Sequence, residues 1–287
     1  AAQRRGVPAV AYCHSNVAAL ARLVAGKRFG GAAARAAERY ARHVYRGFDL
    51  VLAPSRSMAA HLEAWGVGRV ACQPLGVDTG AFTPALRDPR WRERHGFAAD
   101  TRLLVYAGRF APEKHLDVLV AAVERLGPPY ALLAIGAGPA APVGERVTVL
   151  PFLASTRTLA TALASADLFV HAGDQETFGL SALEAMACGT PAVLRDAEGL
   201  RELADGNAGA TVAADGTPAS FAAAISASFE RNRDEATQAA RRRAEASDWE
   251  RVWPGLIEHY LRLAGAPASP AAPAVSAPVP ASEAWQR

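Results

Sequence analysis

Short apolar runs alternate with helical patterns from one end of the chain to the other. The runs at 7–13, 49–53, 69–73, 102–107, 130–135, 147–150, 167–170 and 191–194 read as buried strands. Ala- and Leu-rich stretches with helical spacing lie between most of them, among them 32–45, 116–126, 159–166 and 180–187. Such alternation means parallel sheets with helices on both faces, because each crossover returns the chain to the same end of the sheet. All-β and helical-bundle architectures are excluded.

The alternation breaks at 74–84, where two glycines and two prolines form a connector. The first unit, residues 1–75, holds only about three strands, few for a doubly wound domain. Either that unit is small or strands belonging ahead of residue 7 lie outside this sequence. A second unit covers 76–246, and a last helix covers 247–264. Residues 265–287 are rich in Pro and Ala and almost uncharged, which predicts a disordered tail.

Composition adds limits. The 287 residues are 51% hydrophobic and 21% charged, which suits a packed globule and excludes wholesale disorder. A net charge of +3 gives no reason to expect nucleic acid as a partner. Cys13, Cys72 and Cys188 form no C-x-x-C or zinc spacing, so a reducing, cytoplasmic location is expected. No apolar run reaches the 18 or so residues of a membrane span, and the start of the chain lacks the pattern of a signal peptide.

The most informative segment is Glu176-Thr177-Phe178-Gly179-Leu180, followed by Glu184-Ala185-Met186-Ala187. A helix opening near Gly179 would aim free backbone N–H groups beyond the strand ends, where an anion is favoured. Glu176 would precede that helix and Glu184 would lie in its second turn, so the pair can accept hydrogen bonds from hydroxyls at separate points of one ligand. Taken alone, a Glu-x7-Glu spacing is more often a dipole-pairing residue and a solvated one.

A second segment, Gly108-Arg109 through Glu113-Lys114, follows the strand at 102–107. Ligands of open parallel sheets bind beyond the strands' carboxyl ends, where this loop falls. Arg109 offers a planar fork for phosphate oxygens and Lys114 a point charge, which suits a diphosphate whose charge grows on departure. The plainer alternative is two surface cations, one paired with Glu113 or Asp117. Gly136-Ala137-Gly138-Pro139 mimics a dinucleotide fingerprint, but Pro142 and Gly144 follow where a helix would have to open. It is read as a turn at a strand end.

In this order and spacing, these segments resemble the retaining glycosyltransferases of family 4, which have the GT-B fold. Pro74-Leu75-Gly76-Val77-Asp78, Phe82-Thr83-Pro84 and Asp248-Trp249 with Tyr260 extend the resemblance over about residues 7–264. It implies an α/β GT-B architecture: two Rossmann-like doubly wound domains, the N-terminal one incomplete. The first strand of the family's N-terminal domain, with its glycine-rich loop, has no counterpart here.

The resemblance also implies roles. Arg109 and Lys114 would hold the donor diphosphate, and Glu176 the donor sugar. Thr177, Phe178, Gly179 and Leu180 would line the donor, the last two through backbone N–H groups. Glu184 would take the ribose hydroxyls, and Ala154 in the loop 152–155 would meet the base. His14 would face the donor sugar from the other domain. The reaction expected is hexosyl transfer with retention, from GDP-mannose first or UDP-glucose second, to a lipid-linked or saccharide acceptor. No Asp-x-Asp motif occurs, so neither metal nor cofactor is expected. A non-catalytic nucleotide-sugar-binding module, or a GT-B epimerase or phosphorylase, is the alternative.

Charge asymmetry adds a last expectation. Residues 1–50 carry nine basic residues against two acidic ones. On a helix, Arg35, Arg39, Arg42 and Arg46 fall on one narrow stripe, opposite or beside an apolar side with Tyr40 and Val44. A solvated face is the ordinary reading. The resemblance to lipid-linked mannosyltransferases favours reversible contact with an anionic membrane at its cytoplasmic face.

Overall fold

A computed structural model describes residues 6–204 and 209–265. The Pro/Ala-rich segment expected to be disordered lies, from residue 266 on, outside the described residues.

Three parallel strands form the first sheet, β1 (Val10–Tyr12), β2 (Leu50–Ala53) and β3 (Val70–Cys72), in the order β1-β2-β3. Within the run expected at 7–13 the strand proper is Val10–Tyr12, in register with Leu50–Leu52, and hydrogen bonds of 2.8 Å from the Cys13 N–H to Leu52 O and from the Asp49 N–H to Ala9 O flank it. Helix α1 spans Val17–Tyr45, much longer than the periodicity predicted, and breaks at Gly26, whose φ of 69° no other residue adopts cheaply. Asn16 caps it by accepting the Ala19 N–H. Helix α2 (Arg56–Ala64) follows β2, with Ser55 as its cap.

The connector at 74–84 pairs through Val77 with Asp248. A short helix, α3 (Pro89–Arg94), leads to the second sheet. That sheet contains β4 (Arg102–Ala107), β5 (Tyr130–Ile135), β6 (Val147–Leu150), β7 (Leu168–His171), β8 (Ala192–Arg195) and β9 (Ala210–Ala213). Its order is β6-β5-β4-β7-β8-β9, all parallel. This is the doubly wound arrangement, with its switch point between β4 and β7. The periodicity did not single out β9, a four-residue edge strand of Ala, Thr and Val.

Helices α4 (Leu116–Leu126), α5 (Thr156–Ser165), α6 (Leu180–Ala187), α7 (Glu198–Ala204), α8 (Pro218–Phe229) and α9 (Arg233–Glu245) cover both faces of the second sheet. One core centres on Leu103, Val105, Phe169, Leu183 and Met186, the other on Leu104, Tyr106, Leu119, Leu132 and Phe221. Odd and even residues of β4 divide between them, as the alternation of side chains along a strand requires.

Helix α10 (Trp249–Leu263) returns toward the first sheet. The Val77 N–H donates to Ser247 at 3.0 Å, and the Trp249 N–H to Val77 at 3.2 Å. The Gln73 side-chain amide then donates to the Val252 carbonyl at 3.2 Å. No helix among the described residues is long and apolar enough to cross a membrane.

Candidate functional site

Two loops leave the switch point side by side, one after β4 and one after β7, and they carry the cations and the first glutamate of the sequence argument. Helices α1, α2, α3, α5, α8, α9 and α10 each begin with a side chain that accepts a first-turn N–H. Helices α4 and α6 begin at His115 and Gly179 without such a cap. Both open next to these loops, so their first amides are available to an anion.

Arg109 is 75% exposed, and its guanidinium donates to Glu113 at 2.9 Å. Glu113 itself is buried. The pairing foreseen as the plainer alternative therefore exists, and it aims the guanidinium while leaving it exposed. Lys114 ends a short 3-10 turn over Pro112–Lys114, and its ammonium donates to Glu176 Oε1. The separate roles inferred for Lys114 and Glu176 thus meet in one ion pair. Without a ligand each neutralises the other.

His171, at the end of β7, is the residue that sequence reasoning missed. It is 1% exposed, and its Nε2 lies 3.1 Å from Glu176 Oε1. Burial pushes the Glu176 carboxyl up, but the hydrogen bond from His171 and the Lys114 ammonium outweigh that and bring its pKa to about 2. Glu176 Oε2 has no partner among the described residues. The signal in the sequence was a polar residue ending an apolar run five positions before the glutamate.

Glu184 follows Leu180 by one helical turn on α6, and both line a cavity of about 390 Å³. Thr156, Asp78, Phe82 and Trp249 are among its other walls. Burial raises the Glu184 carboxyl to about 7. It is therefore not the solvated helix residue that its spacing alone would suggest.

Other expected residues are placed differently. Phe178 belongs to the core at 7% exposure, so its side chain packs and only its backbone faces the loop. Ala154 is exposed in the segment before α5, and Thr156 rather than Ala154 walls the cavity. His14 is exposed just past β1, its ring stacked on Tyr12 at 4.5 Å between centroids. Thr177 reaches it from across the cleft, donating its hydroxyl to the His14 carbonyl at 3.0 Å. The turn at 136–140 opens no helix and instead clasps the β4 loop, through Phe110 N–H to Ala137 O at 2.8 Å and Ala140 N–H to Phe110 O at 3.0 Å. Among the described residues no cluster of three His, Cys, Asp or Glu side chains could hold a metal ion.

A six-stranded doubly wound sheet together with a three-stranded parallel one gives the chain the GT-B fold. The chain belongs to the family described as glycosyl transferases group 1, whose sequence model matches residues 87–246; that of glycosyltransferase family 4 matches residues 1–81.

Among its relatives is a GDP-mannose-dependent alpha-mannosyltransferase of Mycolicibacterium smegmatis, 37% identical over 92% of this chain and 70% of that protein. Another is a GDP-mannose-dependent alpha-(1-6)-phosphatidylinositol dimannoside mannosyltransferase of Mycobacterium tuberculosis, 34% identical over 73% of this chain and 57% of that one. Of solved structures, HepE from Anabaena in complex with UDP and glucose superposes with a TM-score of 0.75 at 20% identity, covering 90% of this chain and 72% of that chain. Sucrose-phosphate synthase from Thermosynechococcus elongatus gives 0.76 at 22% identity, over 92% and 70%.

Proposed function

We propose that the protein transfers a hexose from a nucleotide diphosphate sugar to an acceptor hydroxyl with retention of configuration. The observation that carries this reading is the Glu176 carboxylate, held through Oε1 by Lys114 and His171 with Oε2 free, between two uncapped helix starts. A donor diphosphate would draw Lys114 toward it and add Arg109 and the first amides of α6. These groups stabilise charge as it develops on the departing diphosphate, which is where electrostatic catalysis contributes most. Glu176 Oε2 accepts a donor-sugar hydroxyl, and Glu184 accepts from the ribose. The departing diphosphate serves as base for front-face attack, and no metal takes part.

Mannose is the first choice of hexose and glucose the second, so GDP-mannose precedes UDP-glucose; two relatives named as GDP-mannose-dependent support that order. The acceptor is a lipid-linked or saccharide hydroxyl, in glycolipid or cell-surface polysaccharide synthesis. Residues 1–75 form the acceptor-side unit and 76–246 the donor-side unit, with His14 facing the donor sugar. The protein works in the cytoplasm and visits the inner leaflet through its arginine stripe.

Nucleotide release from GDP-mannose, with and without acceptor, is the test. Glu176→Ala is expected to abolish it in a folded protein. An inverted product, or a need for a divalent ion, would overturn the mechanism. Thermal shifts rank the donors, since a ligand at 100 times its Kd stabilises by about 2.7 kcal/mol.

A further inference from the structure

We infer that His171 is a positioning residue for glycosyl transfer, holding the Glu176 carboxylate in one orientation through a fixed imidazole tautomer. The inference rests on the role proposed for Glu176. Its geometry is independent of that role.

The Gly173 N–H donates to His171 Nδ1 at 3.0 Å. A backbone N–H cannot accept, so Nδ1 carries no proton and the imidazole keeps its hydrogen on Nε2. That N–H points at Glu176 Oε1, 3.1 Å away. The same oxygen takes the Lys114 ammonium, so both donors act on one side of the carboxylate and leave Oε2 for a ligand. Burial excludes water as a substitute donor, since the His171 side chain is 2% exposed. Around it, β4 contributes the Tyr106 ring at 5.5 Å between centroids, and β7 itself the Phe169 ring at 6.4 Å. The charged and titratable groups nearest it are Glu176, Lys114 through Glu176, Arg195, whose guanidinium donates to the Ala172 carbonyl at 3.2 Å, and Asp174, which pairs with His115 beyond Gly173; the Glu113 backbone carbonyl abuts Gly173.

Gly173 completes the device. A Cβ there would stand 2.6 Å from His171 Cε1, so only glycine lets the turn close with its N–H on Nδ1. The arrangement parallels metal sites, where the second nitrogen of a ligating histidine is fixed by a further hydrogen bond. Here the group being oriented is a carboxylate.

The experiment compares kcat at saturating GDP-mannose across pH for the intact protein and its His171→Phe, His171→Gln and Gly173→Ala variants. Saturation removes groups that act only through donor affinity. His171→Phe is expected to lower kcat by about 10- to 100-fold, the usual effect of losing a hydrogen bond to a charged group. Its acid limb is expected to move up, with activity falling from about pH 5 while the wild type stays flat to about pH 4. His171→Gln keeps an N–H donor at similar reach and is expected to recover most of both losses. Gly173→Ala displaces the ring and is expected to behave like His171→Phe.

A folded His171→Phe with wild-type kcat and acid limb would overturn the inference, as would a His171→Gln no better than His171→Phe. Should the variants fail to fold, nitrogen-15 spectra of the wild-type imidazole decide. A ring protonated on Nε2 and bare at Nδ1 is expected, and a proton on Nδ1 refutes the positioning role. Wild-type protein without transfer from GDP-mannose would count against the proposed function alone, because the tautomer is read without turnover.

Discussion

Glu202 on α7 accepts the backbone N–H of Ser57 at 2.8 Å, and Ser57 belongs to the other sheet's helix α2. Its second carboxylate oxygen takes the Arg56 N–H at 3.1 Å, so a side chain of one sheet's unit satisfies the first amides of a helix in the other. Glu198, one turn earlier on α7, accepts from the Asn16 amide at 3.0 Å and lies 3.4 Å from His61 Nε2. The start of α7 is itself tied to the donor loop, through the Gly199 N–H to Glu176 O at 2.9 Å. Closure of the cleft and the backbone of the donor loop therefore share one helix. Glu202→Ala is expected to lower stability by about 1 kcal/mol, the usual worth of a helix-start carboxylate. Urea melts and small-angle scattering check it; an unchanged melt and an unchanged radius of gyration would remove α7 as the bridge.

Glu184 makes the pH dependence specific. Its folded pKa is raised by burial to about 7 from the ordinary carboxyl value of 4.5, so the native state binds the extra proton and stability falls as pH climbs between those values. Glu184→Gln is expected to be the more stable protein at pH 8, by roughly 1–3 kcal/mol, and to lose that slope. A ribose hydroxyl donating to the carboxylate favours its ionised form, so GDP binding at pH 6 should release a proton. Calorimetry in two buffers of different ionisation heat measures it. Equal heats in both buffers would take Glu184 out of the ribose site.

Arg109 and Lys114 are expected to separate in their effects. Arg109 is held by Glu113 yet exposed, so Arg109→Ala should weaken diphosphate binding and cost turnover with little change in stability. Lys114 is 12% exposed and paired to Glu176, so Lys114→Ala leaves a partly buried carboxylate with one donor fewer. Its kcat is expected to fall by about 10²- to 10³-fold, as when one preorganised donor is removed. Steady-state kinetics with GDP-mannose decide. Equal losses in both variants would argue for a general charge effect.

Arg35, Arg39 and Arg42 on α1 and Arg46, which caps its end, are exposed, and Tyr40 and Val44 are exposed on the same helix. Contact with anionic lipid is worth about 1 kcal/mol per basic residue near the surface. Sedimentation with anionic vesicles is expected to pull the protein down, and replacing the four arginines by Gln to weaken binding tenfold or more. Equal binding to neutral vesicles, or none lost in the variant, would leave an ordinary solvated face.

What the sequence by itself determined is local. The strands Arg102–Ala107, Tyr130–Ile135 and Val147–Leu150 and the helices Leu116–Leu126, Leu180–Ala187 and Trp249–Leu263 lie where hydrophobic spacing predicted them. Periodicity, helix starts and Gly/Pro breaks act within a few residues, and the motifs of the donor loops are contiguous stretches that keep their order in any fold of this class. What only the tertiary structure decided depends on which segments become neighbours. Placing β7 beside β4 brings His171 and Glu176 to Lys114, residues 57 and 62 positions away along the chain from it. The same folding buried Phe178, lifted the Glu184 pKa and set α7 against α2. Burial and ion pairing are properties of neighbours in space, which the order of residues along the chain does not record.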